Sequence, residues 1–260
     1  MTCLVVIPAR WSSVRLPGKP LADIAGKPMV VRVHERAVAS GVGPVVVASD
    51  DERVVAAARD CGADAVLTSA AHASGTDRIA EVVAMRGLDP ATVVVNVQGD
   101  EPLLPPSLIE QVAANLSRRE DFAIATLCEA IEHEEEIFES DVVKVVFDAE
   151  GRAAYFSRAP IPYCRGRFDA RDPDPPTAAP HGLHHRHIGL YAYRADFLSR
   201  FHALPPAPSE LAESLEQLRA IHHGYSIHVE SARERPGPGV DTPADLERVR
   251  AIFARRTRGD

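Results

Sequence analysis

The chain has 260 residues, 45% hydrophobic and 25% charged, which supplies enough apolar material for a sizeable core and excludes a disordered or fibrous chain. Its formal net charge is -8 and its pI about 5.8, so there is no general attraction to a polyanion. Nucleic-acid binding is set aside, while a local basic pocket for a small phosphate compound stays open.

The apolar start, Met1 to Pro8, has no basic segment before it and is interrupted by Arg10, which argues against a signal peptide or membrane insertion and predicts a cytoplasmic protein. Short β-branched runs at Cys3 to Ile7, Pro44 to Ala48, Ala65 to Thr68 and Thr92 to Val97 read as strands. Pro28 to Ala39, Asp51 to Asp60 and Thr76 to Met85 read as the helices between them. Runs such as V-V-V-A and V-V-V-N are apolar at successive positions, as strands covered on both faces must be. The prediction is an α/β three-layer sandwich, related to the Rossmann fold, with a predominantly parallel central sheet. The first crossover, Ala9 to Lys27, is long and basic and contains neither G-x-G-x-x-G nor G-x-x-x-x-G-K-[ST]. A nicotinamide enzyme and an ordinary P-loop ATPase therefore fall in rank.

Further along, Ser107 to Leu116 reads as a helix and Phe122 to Cys128 as a strand. Glu132 to Glu136 reads as a solvated helix face, and Val142 to Phe147 with Ala153 to Phe156 reads as a hairpin around Asp148-Ala-Glu-Gly. Arg165 to His185 has loop composition. Ile188 to Tyr193 is predicted as a strand, Ser209 to Ile221 as one helix, and Ser226 to Val229 as a strand. Thr242 as N-cap, Pro243 at the first helical position and Asp245 near the free amides announce a last helix. The four cysteines, Cys3, Cys61, Cys128 and Cys164, have no paired spacing, which supports neither a disulfide framework nor a zinc knot.

Two constellations carry chemistry. Arg10, Arg15, Lys19 and Lys27 stand in the first crossover against the single acid Asp23, with Ser13 as a hydroxyl and Gly18 for close backbone approach. On composition alone this is a surface charge run as readily as a site. Its place after the first strand favours a phosphate loop, because ligands of open α/β sheets sit beyond the carboxyl ends of strands. The segment N-V-Q-G-D-E-P, Asn96 to Pro102, follows another apolar strand and offers Asp100 as a hard oxygen ligand for magnesium, with Gln98 as a polar recogniser. Asp241, in P-G-P-G-V-D-T-P, supplies a second carboxylate, since Thr242 already serves as the cap.

Seven segments in order resemble one family. They are P-A-R-W-S-S-V-R-L-P-G-K (8–19), H-A-S-G-T-D-R (72–78), N-V-Q-G-D-E-P (96–102), Y-F-S-R (155–158), R-H-I-G-L-Y-A-Y-R (186–194), E-S-L-E-Q-L-R (213–219) and P-G-V-D-T-P (238–243). Together they are similar to the CTP:3-deoxy-manno-octulosonate cytidylyltransferases, or CMP-Kdo synthetases. The resemblance implies a sugar-nucleotide-transferase-like fold and transfer of CMP from CTP to an anionic small-molecule acceptor, with release of pyrophosphate, in lipopolysaccharide synthesis. It also implies magnesium and a homodimer. The whole chain, 1–260, is then one nucleotidyltransferase domain, with an antiparallel acceptor-binding and dimerisation lobe at about 122–194.

By the same resemblance, Arg10, Ser13, Arg15, Lys19, Ser74, Gly75 and Arg78 serve CTP, and Asp100 and Asp241 hold magnesium. Arg15 and Lys19 also act in catalysis, while Gln98, Arg158, His187, Glu213 and Gln217 receive the acceptor. The chain departs from the family pattern at Ala73, at Pro160 after Ala159, and at Tyr163-Cys164. Three alternatives remain: a cytidylyltransferase for phosphonoformate or another phosphonate acid, using Arg165, Arg167 and Arg186; a uridylyl- or other nucleotidyltransferase; and a nucleotide-binding sensor without turnover. His181, His184 and His185 offer a weaker zinc reading that lacks a metal-binding scaffold.

Overall fold

The computed structural model describes residues 2–13, 15–72, 74–166, 168 and 182–258. Ala73, Arg167 and His181, singled out above, lie outside the described residues, as does most of the 165–185 loop.

β1 (Cys3–Ala9) leads through the basic crossover to a short antiparallel ribbon, β2 (Asp23–Ile24) and β3 (Lys27–Pro28), and then α1 (Met29–Ala39). β4 (Val45–Ser49), α2 (Glu52–Asp60), β5 (Asp64–Leu67), α3 (Gly75–Arg86), β6 (Val93–Asn96) and α4 (Pro106–Ser117) alternate as predicted. Local chemistry sets these boundaries. Asp51 caps α2 by accepting the Arg53 amide, Ser74 and Asp77 form a reciprocal capping box on α3, and Gly87 ends α3 in the left-handed region.

Next come β7 (Ile124–Ala130), α5 (Glu134–Phe138), the hairpin β8 (Lys144–Phe147) and β9 (Ala153–Ser157), and β10 (His185–Arg194). The chain closes with α6 (Ala195–Phe201), α7 (Pro208–Glu213), α8 (Gln217–His222), β11 (Ile227–Ser231) and α9 (Pro243–Arg258). The main sheet runs β11-β7-β10-β6-β1-β4-β5, with β8 paired to β10 and β9 to β8. Neighbours pair in parallel except around β10, which is antiparallel to β6, β7 and β8, and within the β8–β9 hairpin. The antiparallel strand is thus inserted into the middle of the sheet.

Both sheet faces are buried, and residues alternate between two cores as a period of two demands. Val5, Ile7, Val93 and Val95 enter one cluster, while Leu4, Val6 and Val94 enter the other. A third cluster, with Ile24, Met29, Leu103, Val240, Leu246 and Val249, clamps α9 against the ribbon and the turn after β6. Asp241 is thereby delivered beside the first crossover, far from it in sequence.

The predicted helix over 209–221 is two helices. Ser214 lies between them with φ 53° in the left-handed region. Leu215 and Leu218 reach the core and Glu210 pairs with Arg219, so packing of both segments holds the break although no glycine or proline marks it.

Candidate functional site

The carboxyl ends of β1 and β6 and the amino end of α3 meet around a cavity of about 310 Å³, lined by Arg10, Ser12, Ser13, Lys19, Gly75, Gln98, Gly99 and Asp100 among others. Gly99 is required by a close approach: a Cβ there would fall 2.7 Å from the Pro8 carbonyl oxygen. Gly75, the first residue of α3, lines this cavity, so the amino end of the helix faces it, an arrangement suited to an anion.

Asp100 and Asp241 converge on one ammonium. Lys19 Nζ donates to Asp100 Oδ2 at 2.6 Å and to Asp241 Oδ1 at 3.0 Å, and Arg15 pairs with the same Asp241 oxygen at 3.1 Å. Burial of the Lys19 ammonium lowers its pKa, but the charges of Asp100 and Asp241 and the hydrogen bonds to them outweigh this and raise it. Glu101, next in the turn, is pushed up to about 8 by burial and then by the charges of Asp100 and Asp241. Negative charge is therefore crowded here. The hard oxygens of the two convergent carboxylates, Asp100 and Asp241, fit a magnesium ion by donor chemistry, although no group of three such ligands stands together among the described residues.

A second cavity, of about 280 Å³, adjoins the first. Gly75 and Gln98 line both, and Thr76, Asn96, Tyr191, Tyr193, Glu216 and Gln217 line the second. Thr76 Oγ1 donates to Glu216 Oε2 at 2.9 Å, and burial raises the Glu216 carboxyl despite hydrogen bonds to Thr76 and Ser74. Asn96 is 2% exposed and its Oδ1 has no hydrogen-bond partner among the described residues. Among the described residues no arginine or lysine lines this space.

The predicted residues divide into two groups. Arg10, Ser13, Lys19, Gly75, Gln98, Asp100 and Gln217 line these two cavities, and Ser74 and Arg15 stand at the first one's edge through the α3 cap and Asp241. Arg78 is fully buried behind it, donating to Asp50 Oδ2 at 3.0 Å and to Thr68 Oγ1. Arg158 and Glu213 line none of these cavities. The Arg158 guanidinium donates to the Glu213 and Ser140 carbonyls at 2.7 and 2.9 Å, and Glu213 Oε1 accepts from Ser157 Oγ at 2.6 Å. His187 borders a third space of about 180 Å³ with Gln98, Glu101 and Arg186, and its ring lies 5.2 Å from Tyr191.

Sequence reasoning missed Glu216, Thr76, Asn96 and Tyr191. All four lie in or beside segments that carry the resemblance, but only the broken helix turns Glu216 and Gln217 together into the cavity.

His184 and His185 are engaged elsewhere, His184 Nε2 with the Pro162 carbonyl at 3.0 Å and His185 against the Phe147 ring. Arg186 is held by Glu136 at 2.6 Å and Glu129 at 3.5 Å.

Comparison with known proteins finds relatives that match nearly the whole chain. The family model described as Cytidylyltransferase matches residues 4–228. A 3-deoxy-manno-octulosonate cytidylyltransferase of Marinobacter nauticus is 56% identical over 254 residues, covering 97% of both chains. One of Halorhodospira halophila is 57% identical over 245 residues, covering 94% of both. The solved structure of a CMP:2-keto-3-deoxy-manno-octonic acid synthetase complexed with CTP superposes with a TM-score of 0.87 at 43% identity, over 98% of this chain and 100% of that one. A cytidylyltransferase from Leptospira borgpetersenii, 15% identical, shares the fold with a TM-score of 0.62 over 98% of this chain and 87% of that one.

Proposed function

The chain belongs to the cytidylyltransferase family, and from that premise we propose that it transfers CMP from CTP to 3-deoxy-manno-octulosonate, the activation step that lipopolysaccharide synthesis draws on. The observation that carries the reading is a basic cavity and a hydroxyl-binding cavity that share Gln98 and Gly75. Two ligands placed in them meet at that junction.

The triphosphate occupies the first cavity, with Arg10, Ser13 and Lys19 on its oxygens, Arg15 at the rim and the α3 amides opposite. The acceptor places its acid end at the junction, facing these cations, and its hydroxyls against Asn96, Gln98, Glu216 and Gln217. Its attacking oxygen forms a bond to the α-phosphorus as the bond to pyrophosphate breaks, and the hydroxyl proton is lost. Arg15 and Lys19 stabilise the charge that gathers on the departing pyrophosphate. Asp100 and Asp241 are the residues that would hold magnesium. When bound, it supplies charge neutralisation and lowers the pKa of the acceptor hydroxyl. Arg158 and Glu213, bonded to each other and to the end of β9, support the turn that presents Glu216 and Gln217. His187 steadies Tyr191 at the cavity wall.

A phosphonate acceptor calls for denser positive charge. The second cavity has no cationic lining, and Arg186 is committed to Glu129 and Glu136, which favours the sugar acid. We further propose a homodimer built through the 122–194 lobe, supported by exposed Phe138, Tyr163 and Leu183 and by Phe168 packed 4.9 Å from Phe138. No described helix is long and apolar enough to cross a membrane.

Steady-state kinetics test the two-cavity assignment. Gln217→Ala and Glu216→Gln are expected to raise the KM for the acceptor about tenfold, the loss of a hydrogen bond worth ~1.4 kcal/mol, with the CTP KM within about threefold. Arg10→Ala is expected to do the reverse. If the Gln217 and Glu216 variants disturb only CTP, the second cavity is not the acceptor site.

A further inference from the structure

Trp11 stands within the phosphate loop but does not line the cavity that its neighbours Arg10, Ser12 and Ser13 face. Its indole is covered by the Arg53 guanidinium, whose central carbon lies 3.6 Å from the ring centroid. Arg53 is itself immobilised on the α2 cap, donating to Asp51 Oδ1 at 2.9 Å and Oδ2 at 2.7 Å. The benzo part of the indole meets the far end of the loop: a Cβ on Gly18 would lie 3.1 Å from Trp11 Cη2. Gly18 has φ +70° and directly precedes Lys19, so its conformation sets where the lysine begins.

The main chain of Trp11 is fixed separately. Its N–H donates to Asp50 Oδ1 at 2.9 Å, and the other oxygen of Asp50 accepts from buried Arg78 at 3.0 Å. Asp50 and Asp51 follow β4, whose Ser49 pairs with Ala9 of β1, so two adjacent strand ends bring the parts together. One residue thus joins the start of the loop, its glycine end, α2 and, through Asp50, α3. A loop that meets its ligand already ordered loses less entropy on binding.

We propose that Trp11 is a positioning residue for CTP: wedged against Arg53 and Gly18, it folds the Arg10–Lys19 loop so that Arg10, Ser13 and Lys19 face the triphosphate before it arrives. The inference rests on the reading of that loop as the triphosphate site. Trp11 is also the chain's single tryptophan, so its emission reports on this contact alone.

The experiment measures CTP and acceptor KM and thermal midpoint for the full chain with Trp11→Ala, Trp11→Phe, Arg53→Ala and Arg10→Ala, and tryptophan emission for the unaltered chain and the two arginine variants, which keep Trp11. Trp11→Ala is expected to raise the CTP KM about tenfold with the acceptor KM within about twofold, and Trp11→Phe, which keeps an aromatic face, to restore it to within about threefold. Arg53→Ala, a change at an exposed helix position, is expected to raise the CTP KM about threefold and to shift the emission of the free protein to the red. A lowered thermal midpoint with unchanged CTP KM in Trp11→Ala, or equal impairment in Trp11→Phe, overturns the proposal. Should Trp11→Ala not fold, Arg53→Ala decides, and unchanged CTP KM with unchanged emission overturns it. Arg10→Ala separates the two readings: if it leaves the CTP KM unaltered, the loop is not the triphosphate site. If it raises that KM while the Trp11 and Arg53 variants do not, only the positioning role fails.

Discussion

At the residue scale, the proposed chemistry turns on two carboxylates that share one ammonium. Asp100 and Asp241 both accept from Lys19, and Arg15 adds a second cation to Asp241. Asp100→Asn and Asp241→Asn keep size and remove charge. Each is expected to lower magnesium-dependent turnover about a hundredfold while the thermal midpoint changes little, because partly exposed pairs contribute at most about 1 kcal/mol. Ordinary turnover and magnesium dependence in either variant would show that its aspartate is not a ligand. His187 gives a different test. Burial lowers its pKa to about 3, and Nε2 lies 3.0 Å from Thr126 Oγ1. An unfolded histidine titrates near ~6.5, so between about pH 6.5 and 3 the unfolded chain binds more protons at this position and stability falls as pH falls. The cost reaches about 2 kcal/mol at about pH 5. His187→Gln is therefore expected to flatten the fall in urea midpoint between about pH 7 and 5. An unaltered slope would mean that His187 is not held neutral by the fold. The aspartates were legible because glycine-rich turns beside strand and helix ends announce them, whereas Asn96 and Thr76 have no distinguishing composition and acquire meaning only from the cavity they line.

At the element scale, the pattern of apolar runs predicts β1, α1 and the alternation from β4 to α4, though not the short β2–β3 ribbon, because both faces of the sheet are buried and caps such as Asp51, Ser74 and Thr242 are local signals. The break at Ser214 is not local. A serine with φ 53° is held by Leu215 and Leu218 in the core and by the Glu210–Arg219 pair, partners that a periodicity reading cannot supply. The difference matters, since it points Glu213 toward Ser157 and Arg158 while Glu216 and Gln217 face the cavity. The short helix α5 raises a second question at this scale. Its sequence reads as a solvated acidic face, but only Glu135 is exposed, Glu134 and Glu136 are half-buried with Glu136 paired to Arg186, and the helix buries Ile137 and presents Phe138, 54% exposed, at the edge of the aromatic cluster with Tyr163 and Phe168. Exposed aromatics in contact with one another suit a subunit interface. For the homodimer proposed above, Phe138→Glu is expected to give a monomer of 28.1 kDa in light scattering, and an unchanged dimer mass would place the interface elsewhere.

At the scale of the whole molecule, the proposed site gathers three distant parts of the chain in one place: the crossover after β1, the turn after β6 and the turn before α9. Parallel pairing of β1 with β6 aligns the first two, and the third apolar cluster docks the last. The predicted parallel sandwich carries this arrangement, but the insertion of β10 between β6 and β7 was not legible, because strand order depends on long-range pairing rather than on the pattern within a strand. That insertion is what brings Tyr191 and Tyr193 alongside Asn96, Tyr191 in direct register with it, and so builds the wall of the second cavity. The central claim is that this cavity takes a hydroxyl-rich sugar acid while CTP fills its neighbour. The most direct measurement is magnesium-dependent pyrophosphate release from CTP with 3-deoxy-manno-octulosonate, phosphonoformate, other phosphonate acids and sialic acid in parallel, each product identified by mass. The account predicts release with 3-deoxy-manno-octulosonate and a product with the mass of its CMP conjugate. No such product, together with efficient CMP transfer to a phosphonate acid, would contradict it.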